Sequence, residues 1–188
     1  MAVPVEDPQS GITIRQANAW DVVKIGRLSL RAFEEQGEHS WFPLPDPRGL
    51  RLIGSILKVM EEGLTLVAQT KEGRIVGMIA MDFQRFGWSD EYLLTNEGFY
   101  VLPAFRTGKY ARTSFMLMEA VERFADSRRH PRTGQGLPVQ MSIHSGVDTE
   151  LKDALLRGRG YQYIGGNFRR EPGGKEKVQV EVGDILDG

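Results

Sequence analysis

The chain has 188 residues, nearly balanced charge with 24 Lys plus Arg against 25 Asp plus Glu, and 40% hydrophobic residues. That profile is expected of a soluble, single-domain globular protein and excludes both a disordered tail and a polybasic nucleic-acid clamp. With no Cys, disulfides, thiolate nucleophiles, zinc knuckles and iron–sulfur clusters are excluded as well.

The first ten residues carry Glu6 and Asp7 and lack a basic start followed by an apolar run, so no secretory signal is expected. The longest apolar run, Ile75 to Met81, is far short of the ~20 residues that span a bilayer. A cytoplasmic location away from membranes is therefore expected. Residues 1 to 10 and 171 to 188 are polar and rich in Gly and Pro, which predicts tails around a domain over residues 11 to 170. Val178, Val180 and Val182 alternate with polar residues, so the second tail could form an edge strand and pair with another copy as a homodimer.

Ile12 to Arg15 alternates like a strand, and Asn18 then precedes a helix whose apolar face is Val22, Ile25, Leu28, Ser29, Ala32 and Phe33, stopping near Gly37. Three prolines keep Glu38 to Pro47 irregular, and a second helix carries Ile53, Ile56, Leu57 and Met60 and closes at Gly63. Leu64 to Gln69 and Ile75 to Phe83 read as a hairpin across Lys71-Glu72-Gly73-Arg74, and a further strand covers Leu93 to Leu102 before Pro103. Ala111, Phe115, Met118, Val121 and Ala125 then mark a long helix. Leu137 to Ile143 is a predicted strand, Asp148 to Arg157 a short helix with Asp148 as its cap, and Tyr161 to Phe168 a final strand. The order is that of a mixed α/β layer fold.

The segment richest in chemical information is Val101 to Ala111, a strand end, a Pro stop and a basic Gly-containing loop that opens a long helix. Helix N-terminal amides and the positive end of the dipole there suit a phosphate or pyrophosphate, and Arg106 and Lys109 add full positive charge. On local physics alone, a capped turn with solvated basic residues fits the same segment.

This segment resembles the GNAT superfamily of acyl-CoA-dependent N-acyltransferases, whose loop reads Gln/Arg-x-x-Gly-x-Gly/Ala. The six residues here are Arg106, Thr107, Gly108, Lys109, Tyr110 and Ala111; the first and last match, while Lys109 stands where Gly is usual and Gly108 sits one place earlier. The hairpin Val67 to Gly77, the Val-x-Pro at Val101 to Pro103 and the Arg159-Gly160-Tyr161 triplet are also similar to the family, in order and spacing over residues 11 to 170. The resemblance implies a mixed, largely antiparallel central sheet with helices on both faces. It also implies acetyl-CoA as cosubstrate, with its pyrophosphate on the amides of residues 106 to 111 and its pantetheine arm against backbone near Val101. An amide at Tyr100 or Val101 would face the thioester oxygen, where a preorganised donor stabilises the oxyanion.

A protonated amine must lose a proton before it attacks, and Glu97 is the candidate base, since similar enzymes often carry a carboxylate at this strand position. In a regular strand Glu97, Phe99 and Val101 share a face, but Gly98 suggests a bulge. Leu156 stands where relatives often place an acidic Tyr, and Glu150 lies near where they place an Asn, so no general acid is assigned; Tyr161 and Tyr163 are expected to pack their rings. Glu38, His39, Trp41 and Phe42, in the Pro-rich loop where this fold commonly shapes the acceptor site, would suit a cationic amine. His144 reads as a strand-end residue, and His39, His130 and His144 lack the spacing of a metal site. Arg128, Arg129 and Arg132 complement the end of the long helix, so no nucleic-acid partner is expected.

The leading expectation is an enzyme that moves an acetyl group from acetyl-CoA to a primary amine, on a small molecule or a protein, by direct attack. The alternatives are a catalytically silent GNAT-like domain that binds a CoA ester or a protein partner, and a nucleotide-phosphate binder that shares only the loop physics.

Overall fold

A computed structural model describes residues 4–36, 50–85, 88, 91–129, 133–142 and 149–164. The chain divides into two compact units, Met1–Glu150 and Leu151–Gly188. The first holds six strands, β1 (Val5–Asp7), β2 (Ile12–Gln16), β3 (Leu64–Thr70), β4 (Ile75–Arg85), β5 (Tyr92–Val101) and β6 (Val139–Gln140). Its helices are α1 (Val22–Gln36), α2 (Leu50–Glu62) and α3 (Thr113–Ser127), and α4 (Thr149–Gly158) follows them. The sheet runs β1-β2-β3-β4-β5-β6, antiparallel except for the parallel β5–β6 edge. This is the mixed, largely antiparallel architecture the sequence implies.

The central strands are buried on both faces, with every residue from Leu64 to Ala68 and from Ile75 to Ile79 inaccessible, which is why they read as continuous apolar runs. Helices cover both faces. A Cβ placed on Gly77 would lie 3.4 Å from Leu117 of α3, whereas Tyr100, one residue off the Val101 that pairs with Gly77, bonds Glu35 of α1 on the other face. The α3 side of the core gathers Ile12, Ile14, Leu66, Ile79 and Leu94 with Leu117 and Val121.

Entry into α1 is fixed by a reciprocal cap. Asn18 Oδ1 accepts from the Trp20 amide at 2.9 Å and Asp21 Oδ2 accepts from the Asn18 amide at 2.9 Å. Buried Asp21 also accepts from both terminal nitrogens of Arg15, at 2.7 and 3.0 Å. Burial pushes the Asp21 carboxyl up, but Arg15 and the Asn18 amide outweigh it and hold the group below the usual carboxylate range.

Several expectations change. The polar residues 1 to 10 are read as a tail, yet Val5–Asp7 pair with Ile12–Ile14. A local turn makes this possible, with the Asp7 carboxylate accepting from the Gln9 amide and the Ser10 hydroxyl, at 3.1 and 2.7 Å. The long helix is expected from Ala111, but a 3-10 turn over Gly108–Tyr110 comes first and α3 begins at Thr113; Phe115, read as part of its apolar stripe, is exposed. The strand expected over Leu137 to Ile143 shrinks to Val139–Gln140. Residues 161–164 are described without strand pairing, and 165–168, Val178 to Val182 and Asp148 lie outside the described residues.

In the C-terminal unit, α4 ends on a Schellman motif. Gly160 takes φ +87°, its amide donates to Arg157 O and the Tyr161 amide to Leu156 O, at 2.9 and 3.1 Å. That geometry accounts for the Arg-Gly-Tyr triplet by itself.

Candidate functional site

β5 runs out at Val101, and Leu102 makes its last link to the sheet, donating to Val76 O at 2.8 Å. Alternation along an antiparallel ladder then turns the amide and carbonyl of Val101, and of Phe99 before it, away from β4. Of the two candidate donors to a thioester oxygen, Val101 faces that edge while the Tyr100 amide faces β4. Pro103 opens a 3-10 turn to Phe105, Arg106 closes it, and Thr107 is extended at φ −132° and ψ 170°.

Gly108 takes φ +57°, with open space where its Cβ would be. The left-handed residue of the loop is therefore Gly108, and Lys109 sits in a right-handed turn where any side chain fits. This accounts for the glycine's displacement by one place from the family pattern. Neither Thr107 nor Arg112 caps the turn or the helix that follow them with a side chain. By helix geometry the first-turn amides of α3, Thr113 to Phe115, find no acceptor inside the helix. Uncapped amides behind an exposed Thr107-Gly108-Lys109 edge fit an anionic group such as a pyrophosphate.

Arg106 is not a free charge on this loop. Its Nε donates to Val101 O at 2.6 Å, its terminal nitrogens donate to both carboxylate oxygens of Glu35, at 2.5 and 2.9 Å, and the guanidinium lies 5.0 Å from the Tyr100 ring centre. Glu35 Oε2 also accepts from the Tyr100 hydroxyl at 2.8 Å. Burial, followed by the bond to Glu35, pushes the Tyr100 hydroxyl up to about 12, so it stays a neutral donor at physiological pH. The result is a bracket tying the first loop residue to the end of β5 and the last turn of α1. Sequence reasoning missed Glu35, because the signal is a helix carboxylate 71 residues from its partner.

Lys109 stands 4.9 Å from the Tyr110 ring, and Tyr110 packs on Phe105 with ring centres 4.6 Å apart. Thr113 Oγ1 donates to Tyr110 O at 2.8 Å and ties the loop to α3. Ala111 is exposed at the junction.

The expected bulge is present in β5. Gly98 pairs with Ala80 and Asn96 with Met81, leaving Glu97 as the extra residue, exposed at the strand's surface. The regular alternation that would group Glu97 with Phe99 and Val101 is thereby broken, and Asn96 takes that place, opposite Met81. Asn96 is buried and uses its whole amide, Oδ1 accepting from the Ser142 amide at 2.6 Å and Nδ2 donating to Ser142 O at 3.2 Å. Sequence reasoning passed over it; an Asn inside a β-rich run was the available signal.

Glu38, His39, Trp41, Phe42, His130 and His144 lie outside the described residues. Tyr163 is exposed, its ring 5.8 Å from the Arg157 guanidinium, and Leu156 is half-buried in α4. Arg128 caps the end of α3 over the Phe124 ring. Among the described residues no three His, Asp or Glu side chains gather into a metal site, and no helix is long and apolar enough to cross a membrane.

Solved structures share this fold. A possible acetyltransferase from Clostridium difficile 630 superposes with a TM-score of 0.63 at 15% identity, over 86% of this chain and 97% of that one. The aminoglycoside N-acetyltransferase AAC(6')-Iy, held with a bisubstrate analogue joining CoA to acetylneamine, gives 0.60 at 18% identity, over 86% and 98%. An aminoglycoside acetyltransferase from an uncultured soil sample, in complex with sisomicin, gives 0.58 at 17% identity, over 88% and 99%. No protein-family model and no curated protein matches the sequence. The chain has the GNAT fold, as its loop and element order imply.

Proposed function

We propose that this chain transfers an acetyl group from acetyl-CoA to a primary amine by direct attack. The observation that carries the reading is the sequence of features along one strand: a bulge at Glu97, outward main-chain groups at Phe99 and Val101, and a Gly108 turn leading to uncapped amides of α3. In this reading the amides of Thr107 to Ala111 hold the pyrophosphate, and the Val101 main chain aligns the pantetheine arm. Acetyl-CoA supplies an activated acyl thioester. The Val101 amide is the donor for oxyanion charge, and Glu97, exposed beside it, accepts the proton of the incoming ammonium, directly or through water. The bracket of Arg106, Glu35 and Tyr100 keeps the loop and β5 in register. Fold neighbours that hold sisomicin and an acetylneamine conjugate support a small-molecule amine as acceptor, with Glu38, His39, Trp41 and Phe42 as the residues to test for it.

Calorimetric titration with acetyl-CoA, with CoA and ATP as controls, tests the binding half. Release of free CoA thiol that depends on added amine tests the transfer half. Saturable acetyl-CoA binding with amine-dependent thiol release supports the enzyme. Tight binding without release across an amine panel favours a silent CoA-ester domain, for which Lys109 in the loop is the motivating feature. Preference for ATP would leave only an anion-binding turn.

A further inference from the structure

β5 and β6 are paired at only two positions, Leu94 with Val139 and Thr95 with Gln140. Continuing that register would set Ser142 opposite Glu97, but Glu97 is the bulge residue that β4 leaves without a partner. The Asn96 amide reaches across instead and takes both main-chain groups of Ser142. A side chain has replaced one rung of the ladder, and this bridge is the final link between the two strands among the described residues. Beyond it β5 continues through Phe99 and Val101, whose main-chain groups face away from β4 and have no β6 residue paired with them.

We propose that the Asn96 side chain forms the closed end of the gap between β5 and β6 and so limits the length of the acyl group this chain accepts; the proposal rests on the acyl-CoA reading above. The direction of approach is set by the fold. A ligand whose phosphates sit at residues 106 to 111 and whose arm runs back along β5 presents its far end, the acyl group, toward Asn96. Val101 and Asn96 are five residues apart, about 16 Å of strand less the contraction of the bulge. An extended pantetheine arm of about a dozen bonds, each about 1.5 Å and foreshortened by its angles, spans a comparable distance. A two-carbon acyl group then ends at the bridge, and each further methylene must displace a buried amide that holds two hydrogen bonds.

The test is binding, measured by calorimetry, of CoA and of acetyl-, butanoyl-, hexanoyl- and octanoyl-CoA to the wild-type chain, Asn96→Ala and Asn96→Ser. Wild-type affinity is expected to fall by at least about tenfold between acetyl- and hexanoyl-CoA, and Asn96→Ala to erase most of that ratio while CoA itself binds as before. Asn96→Ser, whose hydroxyl cannot satisfy both groups of Ser142, is the milder variant should Asn96→Ala fail to fold, and it is expected to move the ratio the same way. Faster hydrogen exchange at the Ser142 amide in either variant would report loss of the bridge. A wild-type chain that binds all lengths alike, or a length ratio unmoved in the folded variants, overturns the role of Asn96 and leaves the acyl-CoA reading intact. No binding of any CoA species to the wild-type chain overturns that reading and this proposal with it.

Discussion

At the scale of single residues, Arg106 separates two accounts of the loop. Its side chain is spent on Glu35 and Val101, so it supports anion binding by holding the loop in place and not by contributing a free charge. Removing either partner should then act in the same direction. Arg106→Ala and Glu35→Ala are each expected to weaken CoA binding by about fivefold. Each should also lower stability by about 1 kcal/mol, a modest figure because both side chains are over one third exposed. The double variant should cost less than the two single losses together, since both remove one interaction. If Arg106 instead swings to the phosphates, Glu35→Ala frees it and tightens binding, and calorimetry of the two variants decides between the outcomes. Gly108 gives a second test at this scale. At φ +57° an alanine is strained by about 1 kcal/mol although nothing crowds its Cβ, so Gly108→Ala should destabilise the loop and weaken CoA binding without any clash.

At the scale of elements, β5 gathers most of the proposed chemistry, and its bulge decides which side chains serve it. The exposed Glu97 is expected to act on the acceptor and not on the cofactor. Glu97→Gln should therefore slow amine-dependent thiol release by about 100-fold and leave acetyl-CoA affinity unchanged. A pH–rate profile identical to that of the wild-type chain would remove Glu97 from the role. Behind β5, Gly77 lets α3 and the end of the strand approach closely. An added Cβ would stand 2.9 Å from Val101 Cγ2 and 3.2 Å from Tyr100 O. Gly77→Ala is expected to cost about 2 kcal/mol by overpacking, and to weaken CoA binding because the displaced residue is Val101. Thermal unfolding beside calorimetry measures both effects.

The same elements indicate what was legible in the sequence. Long periodic or continuous apolar segments, α1, α2, β3, β4 and β5, stand where their patterns put them, because burial on one face or two is written directly into spacing. The loop was legible as an anion site from Pro103, Gly108 and the helix behind it. Features that depend on distant partners were not. Nothing near Val139 reveals that pairing stops after two residues, since a side chain on another strand takes over at Ser142. Nothing near Arg106 reveals that Glu35 neutralises it, and Val5–Asp7 becomes a strand only because a hydrogen-bonded turn folds it back on β2.

At the scale of the whole molecule, stability should depend on acid more than net charge suggests. Hydrogen bonding from Ser10 lowers Asp7, Arg15 and the Asn18 amide lower Asp21 against its burial, and Thr70 lowers Glu72. Each carboxyl has a folded pKa below its unfolded value of about 4, so each contributes stability that is present above that value and lost as pH falls through the folded one. The expected thermal midpoint is level from about pH 8 to pH 5 and declines below about pH 4. Asp21 should dominate the decline, because it is buried and joins the start of α1 to β2 through Arg15, where an uncompensated guanidinium is costly. Asp21→Asn should lower the neutral plateau by about 3 kcal/mol and flatten the acid limb, whereas Asp7→Asn should change the limb with little loss at neutral pH. Tyr100 acts at the other extreme with the opposite sign. Its bond to Glu35 is present below its unfolded value of about 10 and is lost as pH rises toward 12, so the bracket on the loop should hold across the whole range in which an amine acceptor deprotonates. Melting curves of the three chains from pH 3 to pH 9 check this account, and an acid limb left unchanged by both substitutions would assign acid sensitivity to other carboxylates.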